Sequence, residues 1–338
     1  MRVLFTFNLL VATLFNHLEV EAAPLGQEIK QIVQADLDRA QAMAAKIDVI
    51  RAGRDDRNEP RSRLKTSEFL QVTRRISCAG DPRALMRSID SDTEGSVAYV
   101  ISGRCVIDRY LEVIGRDLTI AGLNSPWDSA TNPEDLATLF FDQQDYKMLV
   151  ASTGSSIILS GLYIESVGQS NLRLIAVRNG YLSLVEVGFK NDLQFDAAAG
   201  GGIQLYDISN LQYEQEATEA QKALVQSYRN WNLTFTIANG SSAAVIGASF
   251  NAAFNLEGGA VLGQISLPTQ VSLGPASDTA TVSYDLTSGS SATVRNYYAP
   301  ITVLHAKARS NSNIAFDGVF QPEELIVGPS SYLGPLID

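Results

Sequence analysis

The chain has 338 residues, 45% of them hydrophobic and 19% charged, which excludes a disordered polymer and gives enough length to bury a large core. Its formal net charge is −11, and from residue 101 onward 12 basic side chains stand against 23 acidic ones. Such a body repels nucleic acid and anionic membrane surfaces.

The chain opens MRVLFTFNLLVATLFNHLEVEAAP. Arg2, an apolar run from Val3 to Phe15 and the small-residue end at Val20-Glu21-Ala22 have the order of a secretory signal peptide over residues 1–22, and the run is too short to span a bilayer. A secreted, extracellular or cell-surface protein is therefore expected. No later stretch is long and apolar enough for a membrane span, and the polar end PSSYLGPLID is no lipid-anchor signal.

Residues 23–75 read as an N-terminal helix followed by an Arg-rich linker. Ile29, Val33, Leu37, Ala40, Ala44 and Ile47 recur at steps of four and three, which places them on one helical face. That face is expected to dock on the body; self-association of two copies through the same helix is the alternative. Residues 51–87 hold ten of the 26 basic side chains, interleaved with Asp and Glu and without a Trp or Tyr, and Pro60 ends the helix. A solvated linker follows from that composition.

The body is expected over residues 76–338. It begins CAGDPRALMRSIDS, where Asp81 and Pro82 read as the start of a short amphipathic helix carrying Leu85, Met86 and Ile89. Cys78 and Cys105 are the only cysteines. In an exported chain they are expected to form a disulfide, whose loop closure contributes about 3–4 kcal/mol in the chain-entropy account. Zinc is excluded, because His17 leaves with the signal and His305 plus two cysteines cannot complete a tetrahedral set.

After the strand VAYVISG, gapped copies of one phrase follow: DLTIAGLN from Asp117, SSIILSGLYIES from Ser155, GYLSLVEVGFKN from Gly180, SSAAVIGASFNA from Ser241, SSATVRNYYA from Ser290 and SNSNIAFDGVFQ from Ser310. A unit of about 20–25 residues explains their spacing if some intervals hold two units or an insertion, and such a unit must stack on its neighbours to bury its apolar face. Polar insertions are read at 124–135 and, as an amphipathic helix, at 212–230. The fold expected is an all-β solenoid. After Phe189 and Phe250 the chain carries Asn191 and Asn251, then glycine pairs and a β-branched residue (GFKNDLQFDAAAGGGI and SFNAAFNLEGGAV). The two phenylalanines are expected to stack inside the solenoid, the asparagines to satisfy backbone at turns, and the glycines to supply positive φ at a corner.

These blocks resemble the right-handed parallel β-helix superfamily, the pectate-lyase-like fold, over about residues 76–325. The block CAGDPRALMRSIDS…SGRC…LTIAG looks like the opening coil of that fold. The paired Phe/Asn/Gly phrases look like the repeats of polymorphic outer-membrane and other surface β-helix proteins, with an extra Asp192-Leu193-Gln194 in the first and Asn directly after Phe in the second.

That resemblance implies polysaccharide chemistry as the activity to look for. Lyases of the fold pair an arginine or lysine base with carboxylates that bind calcium. The candidates here are Glu165, Arg173, Arg178 and Glu186 for catalysis and Asp142 and Asp145 for calcium, with Asp192 and Asp196 nearby in sequence. The Asp-His strand ending and Arg-Pro base motif of pectate lyases are missing, as are the Asp-Asp and Gly-His-Gly motifs of the hydrolases. His305 lies in a strand-like run without a GxSxG partner and reads as structural. Trp127 and Trp231 could stack on sugar rings, as could Tyr297 and Tyr298. Asn232 and Asn239 head two glycosylation sequons, or simply occupy turn and strand ends. The expectation is a non-catalytic surface protein with polysaccharide or a surface protein as partner and no cofactor; a divergent polysaccharide lyase using calcium is the alternative.

Overall fold

The computed structural model describes residues 72–92, 95–123, 137–142, 148–167, 172–185, 187–207, 232–247, 251–266, 280–296, 301–318 and 320–336. The expected signal peptide, the amphipathic helix before residue 52 and both expected insertions lie outside these residues, as do Trp127, Asp145, Glu186, Trp231 and Phe250.

The first strand, β1 (Val72–Ser77), precedes a single helix, α1 (Ala84–Ser91). Leu85, Met86 and Ile89 are buried as the period predicts, so α1 closes the first end of the core. Three strands per turn follow: β2 (Val97–Ser102), β3 (Arg104–Ile107), β4 (Leu111–Ile114); β5 (Asp117–Gly122), β6 (Thr138–Phe141), β7 (Met148–Ser152); β8 (Ser156–Ser160), β9 (Tyr163–Ser166), β10 (Leu172–Val177); β11 (Tyr181–Val185), β12 (Gly188–Phe189), β13 (Leu193–Ala198). From there two strands per turn are described: β14 (Gly202–Asp207), β15 (Asn232–Ala238); β16 (Ser242–Gly247), β17 (Asn251–Glu257); β18 (Val261–Ser266), β19 (Ala280–Leu286); β20 (Ser291–Asn296), β21 (Ile301–Ala308); β22 (Asn313–Gly318), β23 (Pro322–Val327); and β24 (Tyr332–Pro335).

Each strand pairs in parallel with its counterpart one turn earlier and one turn later. The result is an eleven-stranded sheet (sheet A, β1-β2-β5-β8-β11-β14-β16-β18-β20-β22-β24), a nine-stranded sheet (sheet C, β4 to β23) and a four-stranded sheet between them (sheet B, β3-β6-β9-β12). This is an all-β, β-helix-like solenoid with long parallel sheets. The six repeat phrases begin at or just before β5, β8, β11, β16, β20 and β22, all in sheet A. The phrase spacing hid β14 and β18, which share intervals with insertions. No described helix is long and apolar enough to cross a membrane.

One side chain from every other position points inward. Phe195, Phe235, Phe254 and Tyr284 hold the same register place on β13, β15, β17 and β19. Their rings stack at 4.6, 4.8 and 5.5 Å with interplanar angles of 8°, 20° and 11°, the separation at which aromatic pairs add to area burial. Phe189 is buried in the core as expected, but its stacking is corrected here. It belongs to sheet B and meets Phe195 edge-on at 6.3 Å, so the second phenylalanine of each phrase, Phe195 and Phe254, makes the ladder. Parallel pairing puts identical places of one sheet about 4.8 Å apart, which a residue of another sheet cannot match.

Every described corner from sheet C to sheet A places one or two residues at positive φ. Gly115 serves the first such corner, the pairs Thr153-Gly154, Arg178-Asn179, Ala199-Gly200, Asn239-Gly240, Gly258-Gly259, Ser288-Gly289 and Ser310-Asn311 the next seven, and Ser330 the last. The Gly258-Gly259 pair of the second phrase sits there, as expected from glycine's freedom, whereas in the first phrase the corner falls on Ala199-Gly200, ahead of the expected Gly201-Gly202. The asparagines act between turns: Asn191 Oδ1 accepts from Ser166 N (2.8 Å) and Asn251 Oδ1 from Thr281 N (3.0 Å).

The first coil is tied by the Cys78–Cys105 disulfide. Gly103, at positive φ, lies where a Cβ would sit 3.1 Å from Ala79 N, which explains the glycine in SGRC. Asp92, following α1, accepts from the Tyr99 hydroxyl (2.6 Å) and pairs with Arg74, while Arg116 donates to its carbonyl. Burial, and then the bond to Asp92, raise the Tyr99 phenol above its usual range.

Candidate functional site

A solenoid offers the outer faces of its sheets to ligands, and the three faces differ here. Sheet B is short and its outer side chains are tied together. Arg104 lies 3.5 Å over the Phe140 ring and 3.4 Å from Glu165 Oε2, while Lys190 Nζ is 3.3 Å from Glu165 Oε1. The largely buried Glu165 carboxylate is thus held between two cations, an arrangement that fixes the face more than it opens it.

Sheet C carries the longest described run of outward polar groups. One register column reads Arg173, Gln194, Thr234, Ala253, Ser283, His305, Glu324. The next reads Ile175, Asp196, Thr236, Asn255, Asp285, Lys307. Strand alternation causes both: in NLTFTIA, NAAFNLE and ATVSYDL the apolar residues fill the core, and the polar ones stand outside at about 4.8 Å intervals.

The ends of this ladder are fixed by ion pairs. Asp196 accepts from Arg173 Nε (2.9 Å) and Gln194 Nε2 (3.0 Å). Lys307 Nζ lies 2.9 Å from Glu324 Oε2, and that hydrogen bond lowers the Glu324 carboxyl below its usual range. Between those ends, Thr234, Thr236, Asn255, Ser283 and Asp285 are part-buried or exposed. They are not engaged by other described side chains, so their hydroxyl, amide and carboxylate groups face solvent at regular spacing. A β-bulge between Val282 and Ser283 shifts the register against β21 and leaves Leu304 exposed on the same side.

The residues singled out from sequence scatter over this frame. Glu165 is on sheet B, Arg173 on sheet C and Arg178 at the exposed corner between β10 and β11 with φ 52°. Asp142 is exposed after β6, and Asp192 accepts from the Asn232 N–H at 2.9 Å. Asn232 opens β15 and Asn239 forms a corner with φ 54°. Of the acid and arginine candidates, the structure brings together Arg173 and Asp196. Among the described residues, no group of three or more His, Cys, Asp or Glu is placed to hold a metal ion. The central ladder residues were missed because no motif marks them; the period-two alternation of polar residues was the available signal.

Comparison with known proteins adds no relative: no family model, curated protein or solved structure matches the chain.

Proposed function

We propose that this is a secreted or cell-surface protein that binds an extended glycan, without catalysis, along the outer face of sheet C, and that its fold is the right-handed parallel β-helix of the pectate-lyase-like kind. Right-handed crossovers are the strong rule for parallel strands. The observation that carries the functional reading is the ladder Thr234–Thr236–Asn255–Ser283–Asp285, flanked by the Arg173–Asp196 and Lys307–Glu324 pairs. A flat array of hydroxyl, amide and carboxylate groups at a fixed repeat matches a polymer of hydroxylated rings.

The test is titration of the folded protein against a panel of neutral and uronate polysaccharides by calorimetry. Binding to at least one polymer is expected, and the triple variant Thr236→Val, Asn255→Ala, Asp285→Asn is expected to weaken it by about tenfold or more, equal to ~1.4 kcal/mol, with unchanged melting. Absence of binding across the panel overturns the reading.

The lyase alternative draws on one observation, the Arg173–Asp196 pair at the end of the same ladder. Release of unsaturated uronate from any polymer in the presence of calcium, abolished by Arg173→Ala, would establish it in place of simple binding.

A further inference from the structure

The outer face of sheet A is covered. Inward places on its early strands are Val97, Leu118, Ile157, Leu182 and Ile203, which join the continuous core. The alternate, outward places form two columns: Ala98, Thr119, Ile158, Ser183, Gln204, and Val100, Ala121, Ser160, Val185. These nine residues lie outside the core cluster, yet their exposure runs only from 0% at Ala98 and Ser183 to 7% at Ile158. Strands β2, β5, β8 and β11 are consequently buried almost without interruption, whereas β4, β10 and β13 of sheet C alternate. Continuous burial is what a parallel strand shows when both faces are packed.

No described element lies across this face. The elements that meet these strands are their sheet neighbours and strands adjoining across a corner, and α1 packs on β1 and β3. Past β14 the first column opens again, with Ala244, Gly263, Thr293 and Ala315 all part-exposed. One place further along, Arg295 on β20 is also buried on this side, next to the attachment points of residues 267–279 and 297–300.

We propose that residues 25–48 form a helix lying across the strands on the outer face of sheet A, from β2 to β14, with Ile29, Val33, Leu37, Ala40, Ala44 and Ile47 against the two outward columns. Three features select this occupant. Its apolar stripe of 18 residues' rise is about 27 Å long, and the covered strands span about 19 Å at 4.8 Å per step, so one helix suffices. Four of the nine outward residues are Ala or Ser (Ala98, Ala121, Ser160, Ser183) and none is aromatic, which lets a helix approach closely.

Attachment decides between this segment and the insertions. Residues 124–136 and 208–231 are held at both ends, between a strand of sheet A and the next strand of sheet B or C. The N-terminal segment joins the body at one point, Val72 on the edge strand of sheet A, next to β2 where the covered face begins. The linker from residue 49 to 71 reaches up to about 75 Å when extended, ample for either direction. The docked helix would close sheet A to ligands and leave sheet C as the long open face.

Hydrogen exchange of the full chain tests this directly. Amides of residues 28–47 are expected to exchange at least tenfold more slowly than those of the Arg-rich linker. The double substitution Val33→Asp, Leu37→Asp is expected to remove that protection while β15 and β17 stay protected. A second measurement needs no destabilised variant: Leu37→Cys with Ile158→Cys is expected to form an intramolecular disulfide, and Leu37→Cys with Thr234→Cys, on sheet C, is not. Unprotected amides over 28–47 in the parent chain would overturn the proposal. So would equal bridging to both faces, or a bridge formed only between two chains, which would make a second copy the occupant.

Discussion

At the residue scale, the interior is apolar save for a few polar groups, and one of them ties the aromatic ladder to sheet A. Tyr284 is fully buried and donates from its hydroxyl to Gln264 Oε1 at 2.6 Å. Burial raises its phenol well above the usual range. A raised folded value means a contribution that is whole below the unfolded value near pH 10 and is lost as pH rises through the folded one. Tyr284→Phe keeps the ring but leaves a buried amide oxygen unpaired, so it is expected to cost about 1–3 kcal/mol at neutral pH in chemical denaturation. The gap between variant and parent should narrow at about pH 11. A gap constant across that range would show that the phenol does not carry the alkaline sensitivity. Gln264 could not have been assigned to the core from its chemistry; its place two residues after Leu262 on β18 puts it there.

At the element scale, the corners from sheet C to sheet A set the rise of the coil. Gly201 follows one such corner, and a Cβ on it would lie 2.0 Å from Ala176 O of the preceding turn. Backbone cannot yield there as a flexible side chain could. Gly263, in the outward column of sheet A, has nothing within 4 Å of its would-be Cβ. Gly201→Ala is therefore expected to destabilise by about 1–3 kcal/mol or more, and Gly263→Ala to be neutral or slightly stabilising. Melting curves of the two variants check this; equal effects would show that contact with the turn below does not limit the corner. The GG and NG pairs announced the corners in sequence. Arg178 and Ala199 did not, since neither residue advertises a left-handed backbone.

At the scale of the whole molecule, each turn touches mainly the turns beside it, so stability is local along the axis. The first coil alone is cross-linked, by Cys78–Cys105 across 27 residues of sequence, worth about 3–4 kcal/mol by loop closure. Reduction is expected to raise hydrogen exchange in β1, β2, β3 and α1 while β15 to β20 keep their protection. Uniform loss of protection would mean that the solenoid unfolds as one unit. At the far end, Leu325 and Val327 on β23 are 55% and 48% exposed although their partners Ala306 and Ala308 are buried, so the last turn is the less protected of the two.

The sequence by itself determined the local features: strands of period two, the α1 helix from Leu85, Met86 and Ile89, corners at glycine and asparagine, and a repeat near twenty residues. These follow from side-chain volume, backbone freedom and alternation, which act within a few residues. Only the tertiary structure decided which strands share a sheet, because β15 and β17 become neighbours through register and not through adjacency. That choice selected Phe254 for the ladder, placed Thr236 beside Asn255 on an open face, separated Glu165 from Arg173, and buried the outer side of sheet A. Each is a relation between turns, and the energy that settles it is the packing of one coil on the next.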